Sequence, residues 1–225
     1  MNNSVGNSAR PLWAGLRALL VLTLACGVLY PLAVTGVAQG LMPARANGSE
    51  VTADGEVVGS ALIGQRYDLP LDKGQETAAP DLRWFQPRPS NGLGTNSVNT
   101  RYKLILSGAT NRSGDNEELI AWVTAAKAAV VKDNSVPGRP VSPSQVPADA
   151  VTSSGSGLDP DISPAYAQLQ VNRVAARNHL DAAQVAELVD QHTDGRVLGF
   201  AGEPRVNVLQ LNIALRELVN DAGPR

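Results

Sequence analysis

Hydrophobic positions divide the chain into two parts of different character. The first part has no charged residue between Arg17 and Arg45, and about 20 apolar residues in a helix suffice to cross the hydrocarbon core of a bilayer. Beyond it, apolar positions become periodic and are separated by polar stretches. The pattern predicts a flank over residues 1–17, a transmembrane helix over 18–41 and a folded domain over 42–225.

Apolar positions spaced by three and four residues predict helices in the second part. One is expected over residues 115–132, with acids at its start and a lysine at its end. A second is expected over 164–178, capped by Ser163. A third begins at Asp181, where Gln184 completes a capping box. The predicted apolar faces are Leu119, Val123, Ala126 and Val130 in the first of these helices, and Leu209, Ile213 and Leu218 in a last helix near the C-terminus.

Strand and turn signals alternate with these helices. An Asp54-Gly55 turn predicts a hairpin over residues 51–67, followed by a long loop over 68–100 with Trp84 and Phe85 as its large anchors. Three further segments complete the assignment: an extended proline-rich 134–147, a strand over 148–154, and a strand or turn over 199–206. The fold class is therefore α+β, one domain after a single transmembrane helix.

Charge distribution orients the chain. Arg10 and Arg17 precede the apolar run, and all 21 acidic residues follow it. The positive-inside tendency then keeps the N-terminus cytoplasmic and places the domain outside. The net charge is −2 and 4% of the residues are aromatic. The sequence therefore predicts neither the basic surface nor the aromatic stacking platform that nucleic-acid binding needs. The single cysteine, Cys26, leaves the exported domain without a disulfide.

Two processing alternatives to an anchor exist. Small residues near Ala38 resemble a signal-peptide cleavage site, although the apolar run exceeds the usual length of such a segment. Cys26 followed by glycine resembles a lipidation site, although the sequence after it stays apolar. The helix also contains a series of small or kinking residues that would let a partner helix approach closely or that reflect ordinary membrane-helix composition. This series is Gly27, Pro31, Thr35, Gly36 and Gly40.

The serine- and glycine-rich residues 151–164 are the main candidate for chemistry. A serine-hydrolase elbow is not present, because Ser154 stands where the pattern before Ser156 needs glycine. His179 and His192 lie at predicted helix ends, where they suit the helix dipole better than catalysis. The residues therefore predict no hydrolytic triad.

The same segment also lacks the sequence features of a cation site and of a phosphate-binding loop. Asp159 and Asp161 lack the further acids of a calcium loop and fit turn chemistry. Gly155 and Gly157 would present backbone N–H groups to an anion, but a Walker loop needs lysine, and none follows Lys132. We therefore expect a strand-turn-helix junction here, and no metal site.

Six motifs in a fixed order give the chain a family resemblance over about residues 30–218. They are "YPLAVTGVAQ", "GSALIGQ", "WFQPRPS", "VTSSGSGLDPDISP", "QVNRVAARN" and "GEPRVNVLQLNIAL". In this combination the chain resembles the C subunit of the Kdp potassium-transporting ATPase. It departs from that pattern at Gln86-Pro87, where the family often has a glycine-histidine pair, and in residues 102–114, which resemble an insertion.

The resemblance implies a non-catalytic accessory subunit of high-affinity potassium uptake in the bacterial inner membrane. Its implied partners are a channel-like potassium-binding subunit and a P-type ATPase subunit, where hydrolysis resides. The family is described as a catalytic chaperone that raises ATP affinity, so ATP enters as a cofactor only through the resemblance. The positions that this description associates with nucleotide are Ser153, Gly155, Ser156, Gly157 and Gln170.

The predicted topology conflicts with direct contact between this domain and cytoplasmic ATP. If the domain lies outside, any effect on ATP affinity must pass through the membrane helices as coupling between states. The expected role is then a cap and clamp on the outer side of the potassium-conducting subunit. The alternative function is a membrane-anchored extracytoplasmic enzyme or binding domain that acts on a small molecule in the glycine-serine loop.

Overall fold

The computed structural model describes residues 4–70, 78–89, 93–95, 103–105 and 107–223. The chain forms two compact units, Met1–Glu50 and Val51–Arg225. The asparagine-rich part of the predicted loop, most of residues 91–99, lies outside the described residues.

The first unit is helical. Helix α1 spans Ser4–Leu24, a π-helical turn spans Ala25–Leu29, α2 spans Tyr30–Leu41, and the short α3 spans Pro43–Ala46. Within it, the 33 residues Ala9–Leu41 are long and apolar enough to cross a membrane. The helix thus contains the predicted span over residues 18–41 and begins well before it.

The π-helical turn has a cause in the sequence. Pro31 has no backbone N–H, and its ring crowds the carbonyl four residues earlier, that of Gly27. Widening the preceding turn to the π form relieves this crowding while other helical hydrogen bonds continue. The kink predicted at Pro31 is therefore expressed as a π-helical turn over Ala25–Leu29.

The described residues of the second unit form three small antiparallel sheets. Strands β1 (Glu50–Ala53) and β2 (Glu56–Ser60) form the predicted hairpin, and Asp54 and Gly55 at its turn have φ of 54° and 83°. Both angles are left-handed, as a tight hairpin turn requires. Strands β3 (Leu93–Thr95) and β4 (Lys103–Ile105) pair with each other.

A three-stranded sheet has β7 (Arg205–Asn207) at its centre, between β5 (Asp161–Ile162) and β6 (Thr193–Asp194). In the residues that the structure describes, four α-helices accompany these sheets: α4 (Glu117–Asn134), α5 (Pro164–Asn178), α6 (Ala182–Gln191) and α7 (Val208–Asp221). The core lies mainly among α5, α6, α7 and the loop that carries Phe85. The α+β prediction is confirmed.

The helices start at the predicted residues Ser163 and Asp181, but at Asp181 the structure shows a single side-chain cap and not the predicted capping box with Gln184. Ser163 Oγ accepts the N–H of Tyr166 and so caps α5. The Asp181 carboxylate accepts the N–H of Ala183 at the start of α6. On α7, Leu209 of the predicted face is buried and Ile213 and Leu218 are partly buried. The fully buried positions, Leu211 and Leu215, lie outside the predicted face.

The predicted strand over residues 148–154 is wrong. Ala148–Ala150 form a 3₁₀ turn, and the carboxylate of Asp149 accepts hydrogen bonds from Ser163 N at 2.7 Å and Ser163 Oγ at 2.9 Å. The segment therefore closes the start of α5 instead of joining a sheet. The β-branched residues of this segment favour a strand locally. The contact that decides its structure joins Asp149 to Ser163, fourteen positions away, and no local pattern indicates it.

Candidate functional site

An irregular segment, Asp81–Arg88, passes through the core without belonging to a strand or helix. We call it the clamped segment. Phe85 at its centre is fully buried. A buried backbone needs a partner for each N–H and C=O, and here those partners are side chains on α5 and α7.

Two amide side chains bind consecutive peptide groups of the clamped segment. Gln170 Oε1 accepts the N–H of Gln86 at 2.7 Å, and Gln170 Nε2 donates to the Gln86 carbonyl at 3.1 Å. Asn212 binds Phe85 in the same way, because its Oδ1 accepts the N–H of Phe85 and its Nδ2 donates to the Phe85 carbonyl, both at 2.9 Å. Each pair replaces the two hydrogen bonds that a neighbouring strand would provide.

Arg173 is the central donor to the clamped segment. It is 1% exposed, and its guanidinium donates to the carbonyls of Leu82 and Trp84 and to the side-chain oxygens of Asn134 and Gln170. None of the ion pairs found in the described part of the chain includes Arg173. Burial lowers the pKa of Arg173 to about 10, so the side chain stays charged at neutral pH.

Asn178 completes the set of donors. Its Nδ2 donates to the Arg83 carbonyl at 2.8 Å, so five consecutive carbonyls, Leu82 to Gln86, each accept a hydrogen bond from a side chain. At the start of the segment Asp81 pairs with Arg83 at 2.7 Å, and this hydrogen bond lowers the pKa of Asp81. The donors fix the path of the clamped segment, because each unpaired carbonyl would cost about 1–3 kcal/mol.

Arg88, at the end of the clamped segment, holds the serine-glycine loop. Its Nη1 lies 2.9 Å from Asp159 Oδ2, and its Nε donates to the Thr152 carbonyl at 3.4 Å. On the opposite side Gly64 donates to the Leu158 carbonyl at 2.8 Å, and a Cβ at Gly64 would lie 2.6 Å from the Asp159 carbonyl oxygen. Three sequence motifs therefore meet at the end of this loop.

The serine-glycine loop consists of turns that are held by backbone hydrogen bonds. Gly157 has φ of 67° and donates to the Ser154 carbonyl at 3.2 Å, while the Ser156 carbonyl accepts from Gly108 at 2.8 Å. Ser154 Oγ and Ser156 Oγ lie 3.1 Å apart. The loop then runs into β5 and α5, so the turn and the helix start of the predicted strand-turn-helix junction are present, whereas a 3₁₀ turn replaces its leading strand.

The start of α5 does not present a vacant anion site. The Asp149 carboxylate already accepts two hydrogen bonds from Ser163 there, and a carboxylate is the charge that a helix N-terminus attracts.

Asp159 Oδ1 accepts the N–H of Asp161 at 3.0 Å, as the turn prediction requires. Burial raises the pKa of Asp161, which is paired with Arg205 at 3.1 Å. Within the described residues, no group of three or more His, Cys, Asp or Glu side chains is suited to a metal ion.

The five residues associated with nucleotide by resemblance fall into two environments. Gly155 and Ser156 are exposed in the loop, with Gly157 buried behind them. Ser153 lines a largely apolar cleft of about 460 Å³ beside α4. Gln170 instead lies in the core with its amide bound to Gln86, and it is absent from the residues that line this cleft.

The small residues of the membrane helix lie in different parts of it. Gly27 falls inside the π-helical turn, and the others lie on α2. At Gly36 and Gly40 an added Cβ would meet no atom within 4 Å. Packing against a partner helix stays a prediction for all five residues of this series, Pro31 and Thr35 included.

The sequence reasoning missed Arg173, Asn178 and Asn212. A signal was present for Arg173, because it lies between Val171 and Val174 of α5, which are both apolar and buried. A charged residue on a predicted apolar face needs internal partners. Periodicity therefore identifies such residues, although it does not identify the peptide groups they bind.

In the described part of the chain, one helix that is long and apolar enough to cross a membrane precedes an α+β domain, as in a membrane-associated protein with one folded domain. The family model described as "KdpC: K+-transporting ATPase, c chain" matches residues 12–217. The chain belongs to the KdpC family and is a subunit of a potassium-transporting ATPase.

Curated relatives agree with this assignment. The chain is 76% identical over 219 residues to the "Potassium-transporting ATPase KdpC subunit" of Streptomyces avermitilis, covering 97% of this chain and 99% of that protein. The subunit of the same name from Streptomyces coelicolor is 73% identical, with 97% of each chain covered. The one from Gemmatimonas aurantiaca is 48% identical, covering 90% of this chain and 92% of that protein.

Proposed function

We propose that this chain is a non-catalytic subunit that assembles and stabilises a high-affinity potassium pump in the bacterial inner membrane. Its N-terminus lies in the cytoplasm, its helix crosses the membrane once, and its α+β domain covers the outer side of the channel-like potassium-binding subunit. ATP hydrolysis takes place in the P-type ATPase subunit. The absence of acids before the apolar run supports this orientation.

The observation that carries the proposal is the internal use of the domain's polar motifs. Gln170 and Arg173 bind the clamped segment, Arg88 binds the serine-glycine loop, and Asp149 caps α5. A catalytic site needs reactive groups that converge on a substrate position. These groups instead bind backbone and side-chain groups of the same chain, as expected of a domain whose function depends on a rigid surface.

The same observation bears on ATP affinity. The amide of Gln170 is fully buried, and both its oxygen and its nitrogen are hydrogen-bonded within the chain, so a nucleotide would have to displace a core contact to reach it. We therefore propose that the chaperone-like effect on ATP affinity is indirect. It acts by stabilising one state of the assembly, as a coupling free energy between distant sites.

The transmembrane helix supplies the second contact in this proposal. Large apolar side chains such as Leu20 and Leu32 are 60% and 65% exposed, which suits lipid or a neighbouring helix. Gly36 and Gly40 have open space above their Cα atoms, and small residues at this spacing allow close helix approach. We propose that this face packs against a helix of a partner subunit.

Deletion of residues 51–225, with the helix retained, tests the proposal. A strain carrying this truncated chain should fail to grow on micromolar potassium, and its ATPase subunits should separate during purification. The control is the full-length chain with the same tag and expression level. Normal growth and normal co-purification of the truncated chain would contradict the proposed role of the domain.

A further inference from the structure

The turn between β6 and β7 carries an unusual concentration of exposed apolar side chains. Val197, Leu198 and Phe200 are 57%, 84% and 75% exposed. We call residues 197–200 the apolar tip. Other large apolar side chains exposed in the described part of this domain are more widely spaced or less exposed: Val57, Leu62, Leu69, Ile120 and Trp122.

Backbone and side-chain bonds hold the apolar tip in one shape. Val197 and Ala201 exchange two backbone hydrogen bonds of 2.8 and 2.9 Å, and Gly199 donates to the Arg196 carbonyl at 3.1 Å. Below them, Arg196 and Glu203 form an ion pair at 2.9 Å. The tip is therefore a preformed projection.

The conformation of Leu198 is unfavourable for its residue type. Its φ is 54°, in the left-handed region that asparagine and glycine adopt far more readily than leucine. Its side chain is mostly exposed, so core packing within the domain does not explain a leucine here. A leucine at this position is explained if its side chain becomes buried when the chain assembles with its partner subunits.

The chemistry of the tip indicates the occupant of this surface. Residues 197–202 carry no charge, and the flanking Arg196 and Glu203 neutralise each other. An anionic lipid surface attracts basic clusters, which this turn lacks. A rigid leucine and phenylalanine instead suit a preformed apolar pocket in a protein, because pre-organised anchors lose little entropy on binding.

We propose that the apolar tip inserts into a pocket lined by aliphatic and aromatic side chains on another subunit of the ATPase. The proposal rests on the function proposed above in placing this pocket on the outer side of the complex. It goes further because it names the contact surface and the chemistry that the partner must present.

Leu198→Asn separates binding from folding. Asparagine relieves the left-handed backbone and removes the apolar anchor, so the variant chain should unfold at or above the wild-type temperature. Combined with Phe200→Ser, it should weaken association at least about tenfold, as loss of two central anchors does at other interfaces. The control is Leu62→Asn, the same exchange at a leucine that is 63% exposed outside the tip.

The affinity is measured by titrating full-length chain, in detergent, against a complex of the remaining subunits. Weaker binding of the double variant, with Leu62→Asn at wild-type affinity, supports the proposal. Unchanged binding overturns it while leaving the result of the domain deletion intact. An effect confined to bilayers and absent in detergent also overturns it, because lipid would then be the occupant.

Discussion

Gln170→Leu is the most informative single change in the domain. Leucine has a similar volume but has no polar atom. The substitution removes the hydrogen bonds of 2.7 and 3.1 Å to the backbone of Gln86 and the one from Arg173. The Gln86 N–H and C=O then lack their partners inside the protein, and one N–H of the buried guanidinium does as well.

The expected loss of stability follows from these three groups. A buried polar group without a partner costs about 1–3 kcal/mol, and the added apolar surface of leucine offsets part of this cost. We expect a net loss of about 3 kcal/mol, which for a domain of this size lowers the unfolding temperature by about 6–12 °C. Gln168→Leu on the same helix is the control, because it loses only an exposed bond to Asp190 and should cost less than about 1 kcal/mol.

Two measurements on the full-length chain decide between a structural and a nucleotide-binding role of Gln170. Thermal unfolding gives the loss of stability, and hydrogen exchange should show that the Gln86 amide loses its protection selectively. The assembled ATPase gives the Michaelis constant for ATP. Wild-type stability with a raised Michaelis constant would refute the reasoning, because Gln170 would then bind nucleotide.

Three other substitutions have definite expected outcomes. Arg173→Met should cost about 3–5 kcal/mol in urea unfolding, because the Leu82 and Trp84 carbonyls and the Asn134 side-chain oxygen lose their donor; the exposed Arg177→Met should be nearly neutral. Gly64→Ala should cost about 1–3 kcal/mol, because its Cβ would meet backbone at 2.6 Å, whereas Gly155→Ala should stay within about 0.5 kcal/mol; equal effects would contradict this account. The lowered pKa of Asp81 adds stability at neutral pH that is lost as pH falls through its folded-state pKa. Asp81→Asn should therefore be less stable at neutral pH and flatten the acid limb of stability against pH, and an unchanged limb would show that the pair contributes nothing.

Local chemistry made much of the fold predictable. Ser163 before Pro164 predicted the start of α5, and Asp54-Gly55 predicted the first hairpin, because a cap or a tight turn involves only neighbouring residues. Pro31 similarly predicted a local distortion of the membrane helix, since a missing N–H affects the turn that precedes it. These signals depend on a few consecutive positions, so they can be recognised in the sequence without knowledge of the tertiary structure.

The clamped segment was not predictable in the same way. Gln86 and Gln170 are 84 positions apart, and Phe85 and Asn212 are 127 apart. The sequence showed an irregular loop with a large anchor at Phe85, and no local pattern indicates that side chains from α5 and α7 replace a neighbouring strand. The wrong strand over residues 148–154 has the same origin, since Asp149 caps a helix fourteen residues away.

The central claim is that the domain, with its serine-glycine loop, lies outside the cytoplasm. Replacing Cys26, the single cysteine, by alanine and then making Ser156→Cys places one thiol in the exposed part of that loop. Labelling with a membrane-impermeant maleimide is compared between spheroplasts, which expose the outer face of the inner membrane, and inverted vesicles. The account predicts labelling in spheroplasts and protection in sealed inverted vesicles. Labelling confined to inverted vesicles would contradict it and would make direct contact with cytoplasmic ATP possible.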